Sequence, residues 1–451
     1  MLIRSISGIR GIVETHLTDN VVRNYVRSAH QIYQDGAIIV GRDSRQSGLM
    51  ITNTVIDEFI RLGRNVIFCD IVPTPTVQFM VGQTDAAGGL IVTASHNPEE
   101  WNGLKFVRAD GTFFLPDENE KLFKIVDIGL KIEENKIHGI VLEDKNAIQK
   151  HIIKNVSLKC VDVNQIRQRQ FKVVIDAING AGAIAVPAML EALGCEVIPI
   201  NCEPTGDFVH GTEPLPHNLT ELSKTVIDND ADIGFAIDPD ADRLAVVDEK
   251  GKPVGEEYTL VLATAGYIKT TSRKETFVTN LSTTMALDKL AEQHNCTVER
   301  SAVGEINVVQ KMLETGANLG GEGNGGVILR EAHLGRDSLV GVTMALNRLA
   351  QSDEPISEIM QKLPQFEMIK DRLELNGADV GMSDPTAVFD RAKTIFSDAE
   401  LNTVDGLKFI WNDRWLHLRA SNTEPILRIY AEAPTKKDAQ ELVQTLKSTI
   451  S

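Results

Sequence analysis

The feature that most constrains how this chain can fold is a unit that recurs along it: a helical apolar pattern, a glycine that closes it, and a strand that follows at once. The first copy sets Ile51, Val55, Phe59 and Leu62 at helical spacing, stops at Gly63 and runs into Asn65-Val66-Ile67-Phe68-Cys69. The second uses Met189, Leu190 and Leu193, stops at Gly194 and runs into Cys195-Glu196-Val197-Ile198-Pro199-Ile200. A weaker third copy spans residues 307–316, ahead of Ala317-Asn318-Leu319. Helical periodicity ended by glycine and followed by a β-prone run is how packed α/β layers read in one dimension. Three similar α/β domains are therefore predicted.

Beyond residue 365 the pattern changes. A helical stretch over 387–396, a hairpin over 407–418 turning at Asn412-Asp413, a strand over 426–431 and a terminal amphipathic helix predict a smaller α+β domain. Charged or proline-containing connections put the boundaries near residues 150, 253 and 365, which gives domains 1–150, 151–253, 254–365 and 366–451. Several domains are also what a chain of 451 residues requires, since a single core stops growing well below that length.

Two loops carry the chemistry. Asp238-Pro239-Asp240-Ala241-Asp242-Arg243 follows the apolar run Ile233-Gly234-Phe235-Ala236-Ile237, so a buried strand delivers three carboxylates to its carboxyl end, where α/β proteins bind ligands. Three carboxylates within five residues repel one another unless a cation neutralises them, and hard oxygen donors suit Mg²⁺. An EF-hand opens with the same Asp spacing, but Arg243 stands where that loop demands glycine. A phosphatase with an aspartyl nucleophile usually has Thr or Val where this chain has Asp242.

The other loop, Thr93-Ala94-Ser95-His96-Asn97-Pro98, follows the strand-like Gly88-Gly89-Leu90-Ile91-Val92 and would expose the Ser95 hydroxyl in a turn. Taken alone, a serine before Asn-Pro reads as a turn or cap residue. No Gly-x-Ser-x-Gly elbow surrounds it, and His96, as its immediate neighbour, would point away and make a poor triad base. Lys105 lies close by in Asn102-Gly103-Leu104-Lys105 as a charge or acid/base candidate. Two further loops suit a polar, anionic ligand. Gly320-Gly321-Glu322-Gly323-Asn324-Gly325-Gly326 offers a carboxylate and an amide to sugar hydroxyls, and Arg419-Ala420-Ser421-Asn422-Thr423-Glu424-Pro425 gathers donors that fit phosphate. Without Gly-Lys-Ser/Thr the former is no nucleotide P-loop.

Together these four loops resemble, in order, the signatures of the α-D-phosphohexomutase family, with supporting matches at Ser7-Gly8-Ile9-Arg10-Gly11, Gly41-Arg42-Asp43-Ser44-Arg45 and Gly335-Arg336-Asp337. The resemblance covers essentially the whole chain. It implies three related α/β domains with mixed sheets and a different C-terminal domain around a central cleft. It implies a phosphoserine at Ser95 that exchanges its phosphoryl group with a phosphosugar through a hexose 1,6-bisphosphate, which also serves as activator. One Mg²⁺ would sit on Asp238, Asp240, Asp242 and a phosphoserine oxygen. Arg10, Lys105 and His96 are the implied catalytic residues. Glu322 and Asn324 would read the sugar, Arg419, Ser421, Asn422 and Thr423 the distal phosphate, and Arg243 would support the phosphoserine side.

The chain departs from the family at several points. Many bacterial members have Ser and then Gly-His after the sugar-loop Glu, where this chain has Asn324, Gly325 and Gly326, so a histidine often credited with catalysis is missing. That version is similar to an archaeal-like branch of phosphoglucosamine mutases, whereas the phosphate loop is mixed: Arg419-Ala420-Ser421-Asn422 is similar to phosphomannomutase/phosphoglucomutase and Thr423-Glu424-Pro425 to phosphoglucosamine mutase. Ser5-Ile6 replaces the usual Phe-Gly-Thr, a minor change. Phosphoglucosamine is the favoured substrate, with broad hexose specificity as the alternative. A sugar phosphatase or a non-catalytic sugar-phosphate binder is more remote, since Ser95 and all three aspartates are intact.

The remaining composition narrows partners and setting. A formal charge of −17 argues against general nucleic-acid binding. No apolar run approaches the roughly 18 to 20 residues that span a bilayer, and the start lacks a signal-peptide core, so a cytoplasmic monomer or homodimer is expected. Five cysteines without CxxC spacing read as reduced thiols.

Overall fold

Gly63, Gly194 and Gly316 end their helices in the left-handed region, with φ of 81°, 78° and 76°. In the computed structural model, which describes residues 2–129, 137–374, 385–420 and 426–450, those helices are Gly48–Arg61, Gly182–Ala192 and Glu305–Thr315. The strands that follow them are Val66–Ile71, Glu196–Ile200 and Leu319–Glu322. Glycine meets the positive φ of a helix C′ position without the Cβ penalty, which is why the signal is legible.

The three α/β units share one strand pattern. In the first, Val66–Ile71, Ile38–Arg42 and Gly88–Val92 run parallel and Trp101–Arg108 returns antiparallel. The second repeats this with Glu196–Ile200, Lys172–Asp176, Ile233–Ile237 and Leu244–Asp248. The third repeats it with Thr297–Ser301, Thr276–Asn280, Leu319–Glu322 and Gly326–Leu329. The first sheet adds Gly8–Ile12 and Ile3–Ser5 beyond Trp101–Arg108, and Val141–Glu143 at the opposite edge, to reach seven strands.

This alignment corrects the third sequence copy. Helix Glu305–Thr315 leads into the third strand of its unit, whereas Gly48–Arg61 and Gly182–Ala192 lead into the second. Its counterpart to those two is Ala286–Gln293, followed by Asn295 at φ 54° before Thr297–Ser301. Asparagine tolerates the left-handed conformation, so the unit is kept while the glycine signal is lost.

Packing binds the units unequally. The first sheet is covered on one face by Asp19–His30, Gly48–Arg61 and Pro116–Ile128, around Tyr25, Val55, Phe59 and Leu122, and on the other by Thr74–Gly82. The second and third units share a single apolar cluster, running from Phe171 and Phe235 through helices Glu257–Thr271 and Ser338–Ala350 to Phe277 and Leu329. The last domain is an antiparallel sheet in the order Glu367–Glu374, Ile426–Ala433, Trp415–Ala420, Leu407–Ile410, Glu400–Asn402, packed against Pro385–Ile395 and Lys436–Ile450. It docks on the third unit through polar anchors. Lys408 Nζ donates to Leu281 O at 2.6 Å, Met285 N donates to Glu432 at 2.8 Å, and Ser282 Oγ meets His417 Nδ1 at 3.0 Å.

In every α/β unit the turn between the third strand and its antiparallel return falls in one of the loops singled out in the sequence: 93–100, 238–243 and 323–325. Gly103, on the return strand of the first unit, fixes one of them. A Cβ there would lie 2.3 Å from Ile9 O and 2.7 Å from Thr93 O, both backbone atoms that cannot swing aside. Gly103→Ala is expected to destabilise the fold by about 1–3 kcal/mol, read as a lower midpoint in chemical denaturation.

Candidate active site

Strand Ile233–Ile237 ends at Asp238, and the loop curls back through Ala241 at φ 57° so that Asp242 N and Arg243 N donate to Asp238 Oδ1 at 3.0 and 3.1 Å. Each aspartate has one oxygen pinned in this way. Asp240 Oδ2 accepts from Lys105 Nζ at 2.7 Å and Thr74 Oγ1 at 2.8 Å, and Asp242 Oδ2 accepts from Arg336 Nη2 at 2.6 Å. The other three oxygens, Asp238 Oδ2, Asp240 Oδ1 and Asp242 Oδ1, are buried with no hydrogen-bond partner, and the trio's ligand atoms lie within 4.8 Å of one another. Buried carboxylate oxygens are rarely left unpaired, so this convergence fits a hard divalent cation. Burial, then the charges of Asp242 and Asp240, push the Asp238 carboxyl well above its ordinary range. Burial opposes ionisation of Asp240 too, but the Lys105 ammonium outweighs it and holds that carboxyl low.

The serine loop is held from beneath by a buried pair that the sequence marks only as a family match. Asp43 and Arg45 are paired; Thr93 Oγ1 donates to Asp43 at 2.6 Å and Ser95 N donates to Thr93 Oγ1 at 2.9 Å. Arg45 Nη2 also donates to Ser95 O at 2.8 Å and to Asn97 O. These bonds hold Ser95 at φ 51°, and that left-handed turn overturns the expectation for His96: adjacent side chains diverge in extended backbone, but here His96 Nδ1 lies 3.3 Å from Ser95 Oγ. Burial, then the cations Arg243 and Arg10, hold the imidazole well below its ordinary pKa, so it is neutral. Arg243 Nη2 donates to Nδ1 at 3.0 Å, which leaves the proton on Nε2. Arg10 Nη1 donates to Asn97 Oδ1 at 3.0 Å.

A loop of the second unit that sequence reasoning missed laps over this one. Phe208 lies under Arg45 at 4.9 Å, Thr212 Oγ1 donates to His96 O, and Glu213 accepts from Arg243 Nη1 at 2.7 Å. Its residues carry no motif that singles them out.

In the third unit Glu322 is held by three donors: Oε1 accepts from Asn280 Nδ2 at 2.7 Å and Gly304 N at 3.0 Å, and Oε2 from Arg336 Nη1 at 2.8 Å. Asn324 Oδ1 accepts from Gly326 N at 3.2 Å, tightening its own turn. Arg336 is the residue whose part the sequence did not disclose. It spans Asp242, Glu322 and, at 3.1 Å, Glu305, and so ties the acidic trio to the sugar loop. A Cβ at Gly326, the position of the absent histidine, would lie 2.2 Å from Arg336 Cδ, so the arginine stem occupies the space that a side chain would need. Arg419 pairs with Asp405 at 3.2 Å, and Asp405 in turn accepts from Val303 N at 3.0 Å. Ser421, Asn422 and Thr423 lie outside the described residues.

Four profiles of the phosphoglucomutase/phosphomannomutase family match in order: alpha/beta/alpha domain I over residues 2–133, domain II over 149–251, domain III over 255–366 and the C-terminal domain over 380–448. The chain belongs to this family. A "Phosphoglucomutase/phosphomannomutase" of Thermococcus kodakarensis is 32% identical, over 97% of this chain and 96% of its own. A "Probable phosphoglucosamine mutase" of Methanopyrus kandleri is also 32% identical, over 97% of this chain and 95% of its own. The crystal structure of a phosphoglucomutase/phosphomannomutase family protein from Burkholderia thailandensis superposes with a TM-score of 0.85 at 26% identity, covering 100% of this chain and 97% of that one. Among the described residues no helix is long and apolar enough to cross a membrane.

Two outcomes follow from this geometry. Arg336→Met frees Asp242 and Glu322 together, and Gly326→Ala displaces the arginine that holds them. Each is expected to weaken Mg²⁺ binding or turnover about ten- to a hundredfold, by calorimetry and steady-state rates. Burial and its neighbours raise the Asp238 carboxyl, so a divalent cation bound there would compete with its proton. Mg²⁺ affinity should rise with pH, and titrations in buffers of different ionisation enthalpy should report proton release. Protonated Asp238 stabilises the metal-free fold, so metal-free protein should lose stability as pH rises from the ordinary carboxyl range through that raised pKa, while Mg²⁺-loaded protein should not.

Proposed function

We propose that this chain is a phosphohexomutase, interconverting hexose 6-phosphate and hexose 1-phosphate by way of a phosphoserine at Ser95 and a hexose 1,6-bisphosphate. One observation carries the reading: the serine and the acidic trio form a single constellation. Arg243 Nε lies 3.9 Å from Asp238 and 3.8 Å from Asp242, while its Nη2 reaches the imidazole that touches Ser95 Oγ. A hydroxyl that can carry a phosphoryl group and a cation site beside it are what phosphoryl transfer needs, since its catalysis is chiefly positioning and charge stabilisation.

In the forward half-reaction the bond from phosphorus to Ser95 Oγ breaks, a bond from phosphorus to the free sugar hydroxyl forms, and the hydroxyl proton ends on Oγ. His96, whose Nδ1 also accepts from Arg243, lies 3.3 Å from Oγ and helps to position it. Lys105, Arg10 and Arg243 bring fixed positive charge to the phosphoryl oxygens. A Mg²⁺ held by Asp238, Asp240 and Asp242 together with a phosphoserine oxygen would polarise the phosphoryl group. Glu322 and Asn324 read the sugar hydroxyls, and Arg419 with Ser421, Asn422 and Thr423 binds the phosphate that is not reacting. The reverse half-reaction uses the same groups once the bisphosphate has turned over. In this reading each domain of the division near residues 150, 253 and 365 contributes one loop to a shared cleft.

Glucosamine phosphate is the favoured sugar, on the strength of the Asn324-Gly325-Gly326 loop and of the name carried by the Methanopyrus relative. Broad action on glucose and mannose phosphates is the second reading, favoured by the Thermococcus relative's name. Phosphorus NMR of glucosamine, glucose and mannose 6-phosphates, each with protein, Mg²⁺ and a trace of hexose 1,6-bisphosphate, tests both. A 1-phosphate signal is expected, ranked by sugar, with Ser95→Ala slower by about 10³-fold or more. Inorganic phosphate as the only product would overturn the mutase reading.

A further inference from the structure

One residue beyond Arg336 a second cluster joins three parts of the chain. Asp337 caps helix Ser338–Ala350, its Oδ1 accepting from Leu339 N at 2.8 Å, while Oδ2 faces two histidines and is hydrogen-bonded to His333 Nε2. Two imidazoles converge on that oxygen, His151 Nε2 at 2.9 Å and His333 Nε2 at 3.1 Å, and the ligand atoms of the three residues lie within 4.8 Å of one another. The side chains of His151 and Asp337 are wholly buried, and that of His333 is 6% exposed. His151 Nε2 makes no hydrogen bond despite its closeness to the carboxylate, so the two atoms are in contact without alignment. His333 Nε2 is satisfied by its bond to Oδ2, but the closer imidazole is left with a buried nitrogen that a shared cation would engage.

The surroundings hold the ligands in place. His151 Nδ1 pairs with Thr76 Oγ1 at 3.0 Å, and the ring stacks on Phe79 with centroids 4.9 Å apart. A second bond on the far ring nitrogen and an apolar wall are the usual supports of a metal-bound imidazole. Charge points the same way. Among the described residues the ion-pair partners of Asp337 are the two histidines alone, and a carboxylate buried this deeply needs positive charge beside it, which a bound cation would supply.

We propose that His151, His333 and Asp337 bind a second divalent cation, of the imidazole-preferring zinc class, which joins helix Ala147–Asn155, packed against Thr74–Gly82 of the first unit, to the third unit. Two nitrogens and one oxygen favour zinc over magnesium, whereas the acidic trio offers oxygen alone. The ion sits behind the catalytic machinery on both flanks: Thr74, on the same helix as Thr76 and Phe79, donates to Asp240, and Arg336 adjoins Asp337.

The test is to load the full-length protein with zinc, dialyse it against metal-free buffer, and measure retained zinc per chain together with its X-ray absorption fine structure. About one retained zinc with two imidazole nitrogens near ~2.0 Å is the expected result. His151→Gln and His333→Gln should each lower retained zinc by one equivalent, and Asp240→Asn should leave the nitrogen-ligated zinc in place. An all-oxygen shell, no retained zinc, or equal retention by the folded histidine variants would overturn the proposal. If those variants fail to fold, the coordination shell of the unaltered protein still decides.

Discussion

Three aspartate oxygens buried without partners set the condition that the rest of the structure meets. Carboxylates this close repel one another, and burial sharpens the repulsion. The positive charges that offset it come from different units. Lys105 arrives on the return strand of the first sheet, Arg243 from the loop itself and Arg336 from the third unit. The loop is therefore stable in this form only when the units have assembled around it, and assembly of the cleft is an electrostatic event as much as a hydrophobic one.

The repeated unit explains how separate stretches of chain reach one place. Each unit ends its third strand at a turn before an antiparallel return, and these strand ends and turns place Ser95, the aspartate trio and Glu322. Duplicating a layer of parallel strands duplicates its ligand-binding end. The shared core between the second and third units keeps two of those ends in fixed register. The last domain is held differently, by polar anchors from Lys408, His417 and Glu432 on residues 281–285. These anchors are themselves buried, so the junction rests on paired polar groups rather than on a shared apolar core.

Much of this architecture is legible in the order of the residues. Helices closed by Gly63 and Gly194 announce the α/β unit, because only glycine adopts that backbone at no cost. The spacing of Asp238, Asp240 and Asp242 announces a cation site, because three adjacent carboxylates have few other physical explanations. The third unit is misaligned in one dimension because Asn295 does there what glycine does elsewhere. Arg336 is marked only by its family match, and Glu305, Asn280 and the loop bearing Phe208, Thr212 and Glu213 are not legible as site residues. A lone arginine or glutamate reads as solvated surface until the fold shows what it faces.

His96 marks the limit most clearly. Its type and position are visible in the chain, but whether it faces Ser95 depends on a positive φ that no local preference of serine demands. Residue order is enough to say which loops hold chemistry and which helices and strands carry them, because those follow from short-range periodicity, glycine placement and like-charge repulsion. It is not enough to say which charges complete the trio, that an arginine fills the space beside Gly326, or that a serine turns toward its neighbour. Those outcomes are set in three dimensions, by contacts between residues up to 147 positions apart, and a chain read in one dimension has no measure of such distances.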